Sequence, residues 1–163
     1  MCAATAPSSP RCTTWSAGSS DAAAALITSA EAAAHALALA RTNDAAILTT
    51  DLVERLDAGN AYFLVILAEA EGAGLIAAVD AVTGEMISSA RLERIERHRL
   101  PGKAEAIERA ACPGDATARR VWAPSRASRS PFYPLWELTA GNERVYVDMS
   151  GKLWPAPLES GRG

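Results

Sequence analysis

Several residue types are scarce in this chain, and each scarcity excludes a class of protein. Of its 163 residues only two are histidine and three are cysteine, and neither type occurs at the spacing of a metal site. Because three is an odd number, Cys2, Cys12 and Cys112 do not form a complete disulfide framework. No apolar run reaches the length of about 18 residues that a membrane-spanning helix requires. We therefore expect no metal, no other cofactor and no membrane span.

Positive charge is not in excess either. The formal net charge of −3 argues against a general binder of nucleic acids or anionic membranes. Residues 1–20 lack the basic start and the apolar stretch of a secretory signal, so the sequence predicts a cytoplasmic protein. There is no phosphate-binding glycine loop and no G-x-S-x-G motif. The sequence therefore predicts no catalytic residues and a protein that is not an enzyme.

What the chain does contain is alanine, at 36 positions, within a composition that is about half apolar and 21% charged. These proportions are typical of a globular protein of one domain. Residues 1–20 are rich in Ser, Thr and Pro and are predicted to be a disordered tail. A single domain is predicted over 21–158, followed by a short tail over 159–163.

Helical patterns occur in both halves of that domain. Asp21 is a candidate N-cap for a helix that ends near Arg41. Asp51 and Glu54 have the spacing of a capping box, which predicts a short helix ending at Gly59. Two further helical segments are predicted, Leu92–Leu100 and Lys103–Cys112.

From Ala61 onward the pattern is that of strands joined by turns that contain glycine. The first predicted meander comprises Tyr62–Leu67, Leu75–Asp80 and Glu85–Ala90. The second comprises Phe132–Leu138, Arg144–Asp148 and Lys152–Trp154, with Arg119–Ala123 as a further strand. Together with the helices they predict an α+β fold of antiparallel β-meanders packed on helices. Tyr62–Leu67 on an unpaired edge would favour self-association.

The two meanders resemble each other around one turn. Val79, Asp80 and Gly84 in the first match Val147, Asp148 and Gly151 in the second. In both, an Asp that ends a strand can accept bonds from nearby backbone N–H groups, and the Gly that follows can take a positive φ. Chance turn chemistry remains an alternative. Recurrence in register predicts two related helix–β units, over about 45–92 and 103–158.

The order of the predicted elements resembles the PepSY-like domains of the cystatin-like α+β shape. That order is a helix, a strand, a strand ending in V-D-x-x-T-G and a short strand. The residues that carry the resemblance are Tyr62–Leu67, Ala78–Gly84 and, more weakly, Tyr146–Gly151. The resemblance implies a non-catalytic module that binds peptides, inhibits or assists assembly.

Charge is distributed unevenly along the chain. Residues 91–129 carry ten Arg or Lys against five Asp or Glu, whereas the first ninety carry three against ten. Signs alternate over Arg91–Arg99, as on a solvated helix face. Four arginines without this alternation follow, Arg119, Arg120, Arg126 and Arg129. The last two have no charged partner in the local sequence and lie in a loop of Ser and Pro, where their guanidinium groups are suited to a carboxylate or phosphate. A loop that only needs solubility is the alternative for the last two.

Six of the nine aromatic residues lie between Trp122 and Trp154. On a strand, Phe132, Pro134 and Trp136 would share one face, and Tyr133, Leu135 and Glu137 the other. Both faces are large and apolar, so one is either core or an interface. The combination of arginine and aromatic residues is typical of binding hot spots. The predicted partner-binding residues are Arg119, Arg120, Trp122, Arg126, Arg129, Tyr133 and Trp136.

The leading hypothesis is a non-catalytic binding or accessory protein that holds a protein partner or an acidic peptide. Under this hypothesis the protein is either a small subunit of a larger complex or a homo-oligomer. The alternative is a cystatin-shaped carrier of a small ligand, or an enzyme, with a pocket between helix and sheet. Tyr133, His98 and Glu137 are the polar candidates for that pocket. A third alternative, binding of single-stranded nucleic acid by arginine and aromatic residues, is disfavoured by the acidic net charge.

Overall fold

The computed structural model describes residues 25–41 and 43–155. The tails predicted over 1–20 and 159–163, with Cys2 and Cys12, lie outside the described residues. Helix α1 is Ser29–Leu37 and helix α2 is Lys103–Arg109. The strands are β1 Ala46–Arg55, β2 Ala61–Ala68, β3 Gly74–Asp80, β4 Met86–Leu92, β5 Thr117–Trp122, β6 Leu135–Ala140, β7 Glu143–Val147 and β8 Leu153–Trp154.

The eight strands form one mixed sheet in the order β4-β3-β2-β1-β5-β6-β7-β8. Neighbouring strands are antiparallel, except that β1 and β5 are parallel. Each helix therefore precedes a four-stranded meander, and the first strands of the two meanders lie side by side at the centre. The predicted α+β class is confirmed, with a larger share of sheet than the sequence indicates.

The two helices lie on opposite faces of this sheet. Ala32 and Ala36 of α1 pack against Phe63 and Val65 of β2, whereas Tyr62 and Leu64 point to the other face and pack with Val53. Val53 pairs with Arg120, which pairs with Trp136. Trp136 in turn packs beside Ala106 of α2. We call the face that carries Phe63 and Val65 the α1 face, and the face that carries Val53, Arg120 and Trp136 the α2 face.

Helix α1 begins later than the sequence predicts. Residues 25–28 precede the helix, and Thr28 is its N-cap. The hydroxyl of Thr28 accepts from the Glu31 N–H at 3.2 Å, and the Thr28 N–H donates to the Glu31 carboxylate at 2.7 Å. This reciprocal capping box stops the helix from extending toward Asp21. The helix also ends at Leu37 rather than at Arg41.

Two of the predicted helices are wrong. The segment from Asp51 to Gly59 is not helical, because Asp51 and Glu54 lie in strand β1. Val53, between them, is completely buried, as a β-branched residue in a central strand is expected to be. Leu92–Leu100 is not one helix either. Its first residue ends strand β4, and a short 3-10 turn follows at Ile95–His98.

The remaining predictions hold with shifted ends. Helix α2 starts at Lys103 as predicted but ends at Arg109. Strand β6 begins at Leu135 rather than at Phe132, because the Tyr133 N–H is bonded to Ser130 in a turn and Pro134 has no N–H to donate. Strand β2, which contains Tyr62–Leu67, is paired on both sides. It is therefore not an exposed edge, and the condition under which Tyr62–Leu67 would favour self-association is not met.

The two Asp turns occupy the same place in their meanders, after β3 and after β7. Asp80 accepts from the N–H groups of Val82 and Thr83 at 2.8 Å. Asp148 accepts from the N–H of Ser150 at 2.8 Å and from the Trp154 indole at 2.9 Å. Burial alone would raise the pKa of Asp148, but these donors outweigh it and hold the pKa below its usual range.

A glycine with positive φ completes each turn, Gly84 at +73° and Gly151 at +83°. The last turn of a helix lies against each glycine. A Cβ atom at Gly84 would meet the imidazole of His35, and one at Gly151 would overlap the guanidinium of Arg109. Arg109 also donates to the Ser150 carbonyl at 3.0 Å. Each turn is thereby tied to the helix of its own meander.

Gly151→Ala is expected to lower the free energy of unfolding by about 2 kcal/mol. The added Cβ is strained at a positive φ and displaces Arg109 from Ser150. The matched control is Gly141→Ala, since Gly141 also has positive φ but nothing within 4 Å of the added atom; it should cost about 1 kcal/mol. Urea unfolding of both variants measures the difference. Equal losses would show that the contact with Arg109 contributes nothing.

Candidate functional site

A cleft of about 750 Å³ opens on the α2 face, between the sheet and the segment from Ile95 to Lys103. It lies where β5 diverges from β1. Its apolar lining comes from the sheet and from the covering segment: Leu48, Ile66, Ile95, Leu100 and Trp136. Its charged lining comprises Asp51, Glu96, Arg99, Lys103 and Arg120. The volume is in the range of ligand-binding sites.

Arg120 is held in the wall of this cleft by its neighbours. Alternation along β5 places it on the α2 face, opposite Trp136 of β6. Its guanidinium carbon lies 4.3 Å from the centre of the Trp136 ring, in a cation–π contact. Nη2 of Arg120 donates to the Pro101 carbonyl at 3.1 Å, and the Trp136 indole donates to the same oxygen at 2.8 Å. The side chain is therefore oriented before any ligand arrives.

The guanidinium of Arg120 is buried without a full set of partners. The residue is only 8% exposed, and its Nη1 has no hydrogen-bond partner among the described residues. Oδ2 of Asp51 lies 3.1 Å from Nε, an ion-pair contact that lacks hydrogen-bond alignment. Burial lowers the pKa of Arg120, and the Asp51 carboxylate opposes this. A desolvated cation with a spare donor is costly unless an anion completes it.

His98 closes the side of the cleft near Phe132. Its Nε2 lies 3.1 Å from the Phe132 carbonyl oxygen, and its ring packs against Tyr133 at 5.1 Å between centroids. Burial lowers the pKa of His98 below its ordinary value, although the Phe132 carbonyl opposes this. We therefore assign the neutral tautomer that donates from Nε2 to Phe132, so His98 adds no positive charge at neutral pH.

The free energy of unfolding is expected to fall as the pH decreases below about 6.5. Folding lowers the pKa of His98, so below pH 6.5 the unfolded chain binds more protons than the folded protein does. The contribution of neutral His98 to the free energy of unfolding is therefore complete above about pH 6.5 and is lost on acidification. His98→Gln should flatten the profile between pH 7 and pH 5, while the control His35→Gln should keep the fall. Urea unfolding at several pH values measures this. Parallel profiles for the wild type and His98→Gln would contradict it.

Arg119, next in the chain, points to the opposite face and has a different environment. Its guanidinium bonds Oε1 of Glu137 at 2.8 Å and also contacts Glu54 of β1. Glu137 is only 3% exposed, with Arg144 as a second partner at 3.7 Å. This ion-pair network joins β1, β5, β6 and β7, so Arg119 and Glu137 have structural partners and do not line the cleft.

The other predicted binding residues are spread out. Trp122 is buried and packs edge-on against Tyr62, with ring centroids 6.3 Å apart, under the guanidinium of Arg55. Arg126 and Arg129 are exposed in the loop before β6. Tyr133 is exposed and contacts His98 from outside the cleft. Of the seven predicted residues, Arg120 and Trp136 meet in the cleft. Of the three pocket candidates, His98 lines it.

Sequence reasoning missed Asp51 and Leu48 because it placed Asp51 at the start of a helix. The signal was present, since Ile47–Glu54 is rich in β-branched and aliphatic residues, as strands are. It also missed Pro101, whose carbonyl anchors both Arg120 and Trp136. A backbone acceptor leaves no mark on residue type, so the sequence offers no signal for it.

The described residues contain neither a cluster of metal ligands nor a helix that could span a membrane. Between 25 and 155, Thr42 apart, no three His, Cys, Asp or Glu side chains group as metal ligands. No helix in the same part of the chain has the length and apolar character needed to cross a bilayer.

Comparisons with known proteins assign no family. No family model matches the chain, and no curated protein matches it. Among solved structures, a crystal structure described as a "putative lipoprotein" from Clostridium difficile 630 aligns over 68% of this chain and 80% of its own, with 14% identity. The TM-score of this alignment is 0.31, which is too low to support an argument about fold or function.

Proposed function

We propose that this protein is a non-catalytic binding protein whose cleft holds an acidic segment of a protein partner. The observation that carries the proposal is Arg120, a buried guanidinium on the cleft wall whose Nη1 has no partner within the described part of the chain. Nη1 has less than 1 Å² of accessible surface, so a carboxylate in the cleft would reach it by displacing the groups that cover it, and would then supply the missing partner. Charge-assisted bonds of this kind are worth about 1.5–3 kcal/mol each.

The rest of the cleft favours a peptide with both charged and apolar side chains. Trp136, Leu48 and Ile66 offer apolar surface, which would take aliphatic or aromatic side chains. At the rim, Lys103 and Arg99 are exposed and add positive potential that attracts acidic segments. Asp51 and Glu96 partly offset this charge, so a peptide with several carboxylates is favoured less than one with a single carboxylate beside Arg120.

Display of random dodecapeptides tests this proposal. The wild-type protein is immobilised, and the enriched sequences are compared with those enriched by Arg120→Met, a replacement of similar length without charge. Enrichment of sequences that combine Asp or Glu with apolar residues, by the wild type and not by the variant, is the expected result. Identical enrichment on both proteins, or none on either, would contradict the proposal.

A second candidate function is transport or conversion of a small ligand in the same cleft. The specific observation in its favour is that His98, Asp51 and Arg120 line one cavity of about 750 Å³, a size that suits a drug-sized molecule. Thermal unfolding with benzoate or indole-3-acetate, at concentrations that saturate a weak site, separates the two. Stabilisation by these acids together with failure of every peptide would favour the small-ligand function.

We further propose that the chain arose by duplication and is PepSY-like, and that it acts in the cytoplasm. The first unit would begin at α1 rather than at about residue 45, because the helix predicted to end at Gly59 is strand β1. Three features support the duplication. Each helix precedes a four-stranded meander, the Asp80 and Asp148 turns follow the third strand of each, and a basic residue of each helix lies over the turn glycine. Separate expression of 25–92 and 103–155 tests whether either unit folds alone.

A further inference from the structure

Strand β1 is central in the sheet, yet most of one edge has no pairing strand among residues 25–41 and 43–155. It is ten residues long and pairs with β2 along nearly its whole length. With β5 it forms only three residue pairs, Val53 to Arg55 with Arg120 to Trp122. Before Val53 the two strands diverge, and the cleft lies beside Leu48, Thr49 and Asp51. The segment Ala46–Leu52, which we call the open edge, therefore resembles an edge strand in the middle of the sheet.

The hydrogen-bond pattern shows which residues present their backbone there. The Arg55 N–H donates to Asn60 on the β2 side, and the Leu56 N–H donates to Trp122 on the β5 side. Because backbone groups alternate along a strand, Thr50, Leu52 and Glu54 face β5, whereas beyond the irregularity at Leu48 the alternation is reversed and Ala46 faces β2. Thr50 thus directs its N–H and C=O toward the open edge. Among the described residues, no backbone hydrogen bond outside the β1–β2 ladder reaches residues 46–51.

Side-chain exposure along this edge is unusual for a central strand. Leu48 is 56% exposed and Leu52 is 41% exposed. The pairing with β2 is irregular between Ile47 and Thr49, which leaves Leu48 without a partner residue and at the cleft. Exposed apolar residues on an unpaired strand are an aggregation hazard, and a bulge beside them is typical of sites that re-aim a side chain.

We propose that the acidic peptide binds as an added β-strand along the open edge and places a carboxylate on Arg120. This inference rests on the proposed function and specifies its mode of recognition. The backbone of the peptide pairs with Thr50. One set of its alternating side chains enters the cleft toward Arg120 and Trp136, and the other set covers Leu52 on the α1 face. Seven residues of edge span about 23 Å, enough to pair five or more peptide residues.

The alternation of side chains along the bound peptide determines which peptide sequences the cleft selects. Positions two apart in the peptide share a face, so the carboxylate and the residues two before and after it face the cleft, and the residues between them meet Leu52. The structure therefore predicts recognition of an acidic residue flanked on both sides by apolar residues. Main-chain pairing supplies sequence-independent affinity, and Arg120 supplies the selection, as in other cases of strand addition.

The test follows exchange of the Thr50 amide hydrogen by NMR, with a synthetic form of the dodecapeptide most enriched by the wild type over Arg120→Met. In the free protein this amide should exchange rapidly. With saturating peptide its exchange should slow at least 100-fold, while the Val53 amide, already paired with β2, changes little. Binding without protection of Thr50 would overturn strand addition and leave the proposed function standing. If no peptide is enriched, the proposed function itself fails.

Two variants provide an independent check. Thr50→Pro removes the outward N–H and keeps the β2 ladder, because proline is tolerated where the N–H faces away from the sheet. It should weaken peptide binding at least 10-fold, whereas Thr50→Val should bind as the wild type does. Equal binding by Thr50→Pro would overturn the inference. Should Thr50→Pro not fold, peptides N-methylated at single positions decide, since strand pairing predicts losses at alternate positions and other modes do not.

Discussion

Replacing Arg119 with methionine is expected to lower the free energy of unfolding by about 2–3 kcal/mol. The variant removes the cation that lies 2.8 Å from Oε1 of Glu137, whose side chain is buried beneath the network. Arg144, 3.7 Å from Oε2, is too distant to replace it. Removal of one partner from a buried ion pair leaves an uncompensated charge, and this costs more than the pair contributed.

Urea unfolding followed by tryptophan fluorescence measures the loss. Replacement of both partners, Arg119→Met with Glu137→Met, is the control, and it should recover much of the stability because no charge is left buried. Peptide binding by Arg119→Met should equal that of the wild type, since Arg119 is on the α1 face. A loss below about 0.5 kcal/mol, the range of ordinary surface substitutions, would contradict the structural role assigned to Arg119.

Replacing the next residue, Arg120, with methionine should leave the stability intact and weaken peptide binding, the reverse of what Arg119→Met is expected to do. Arg120→Met is expected to leave the free energy of unfolding unchanged or to raise it by about 1 kcal/mol. Its guanidinium is buried, and among the residues that the structure describes Nη1 has no hydrogen-bond partner. Its departure leaves the Pro101 carbonyl bonded to the Trp136 indole and Asp51 partly open to water. Peptide affinity, in contrast, should fall about 30-fold, the equivalent of about 2 kcal/mol.

Both quantities are measured on the same preparation, stability by urea unfolding and affinity by fluorescence anisotropy of a labelled peptide. Arg119→Met is the matched control, because the two variants differ only in the face of β5 from which an arginine is removed. A residue that sacrifices stability for binding is expected at a functional site. If Arg120→Met unfolds as readily as Arg119→Met is expected to, Arg120 has a structural role and the proposed site is wrong.

The sequence predicts most strands of both meanders but not β1, the first strand of the first meander. Strands β2, β3 and β7 are readable because their apolar runs end at glycine or Asp turns. In strand β1, Asp51 and Glu54 match the spacing of a capping box and so predict a helix, and a local pattern cannot show that Val53 is buried between β2 and β5. The parallel pairing of β1 with β5 joins residues more than sixty positions apart, and no periodicity reports such a contact.

The candidate site shows the same division. Residue type singles out Arg120 and Trp136 as a combination suited to binding, and the structure brings both to the cleft. It cannot separate Arg120 from Arg119, although strand alternation places adjacent residues on opposite faces. It also cannot show that Trp122 would be used in the core against Tyr62. The difference between Arg119 and Arg120 follows from the placement of α1 and α2 on opposite sides of the sheet. The burial of Trp122, which shares the α2 face with Arg120, follows from its packing against Tyr62.

The central claim is that Arg120 receives a carboxylate of the bound peptide, and a double-mutant cycle tests it most directly. Isothermal titration calorimetry compares the wild type and Arg120→Met, each with the enriched peptide and with a form in which its acidic residue is replaced by the neutral amide. The account predicts a coupling free energy of about 1.5–3 kcal/mol between the two changes. Additive losses, with a coupling near zero, would contradict it and place the carboxylate elsewhere on the protein.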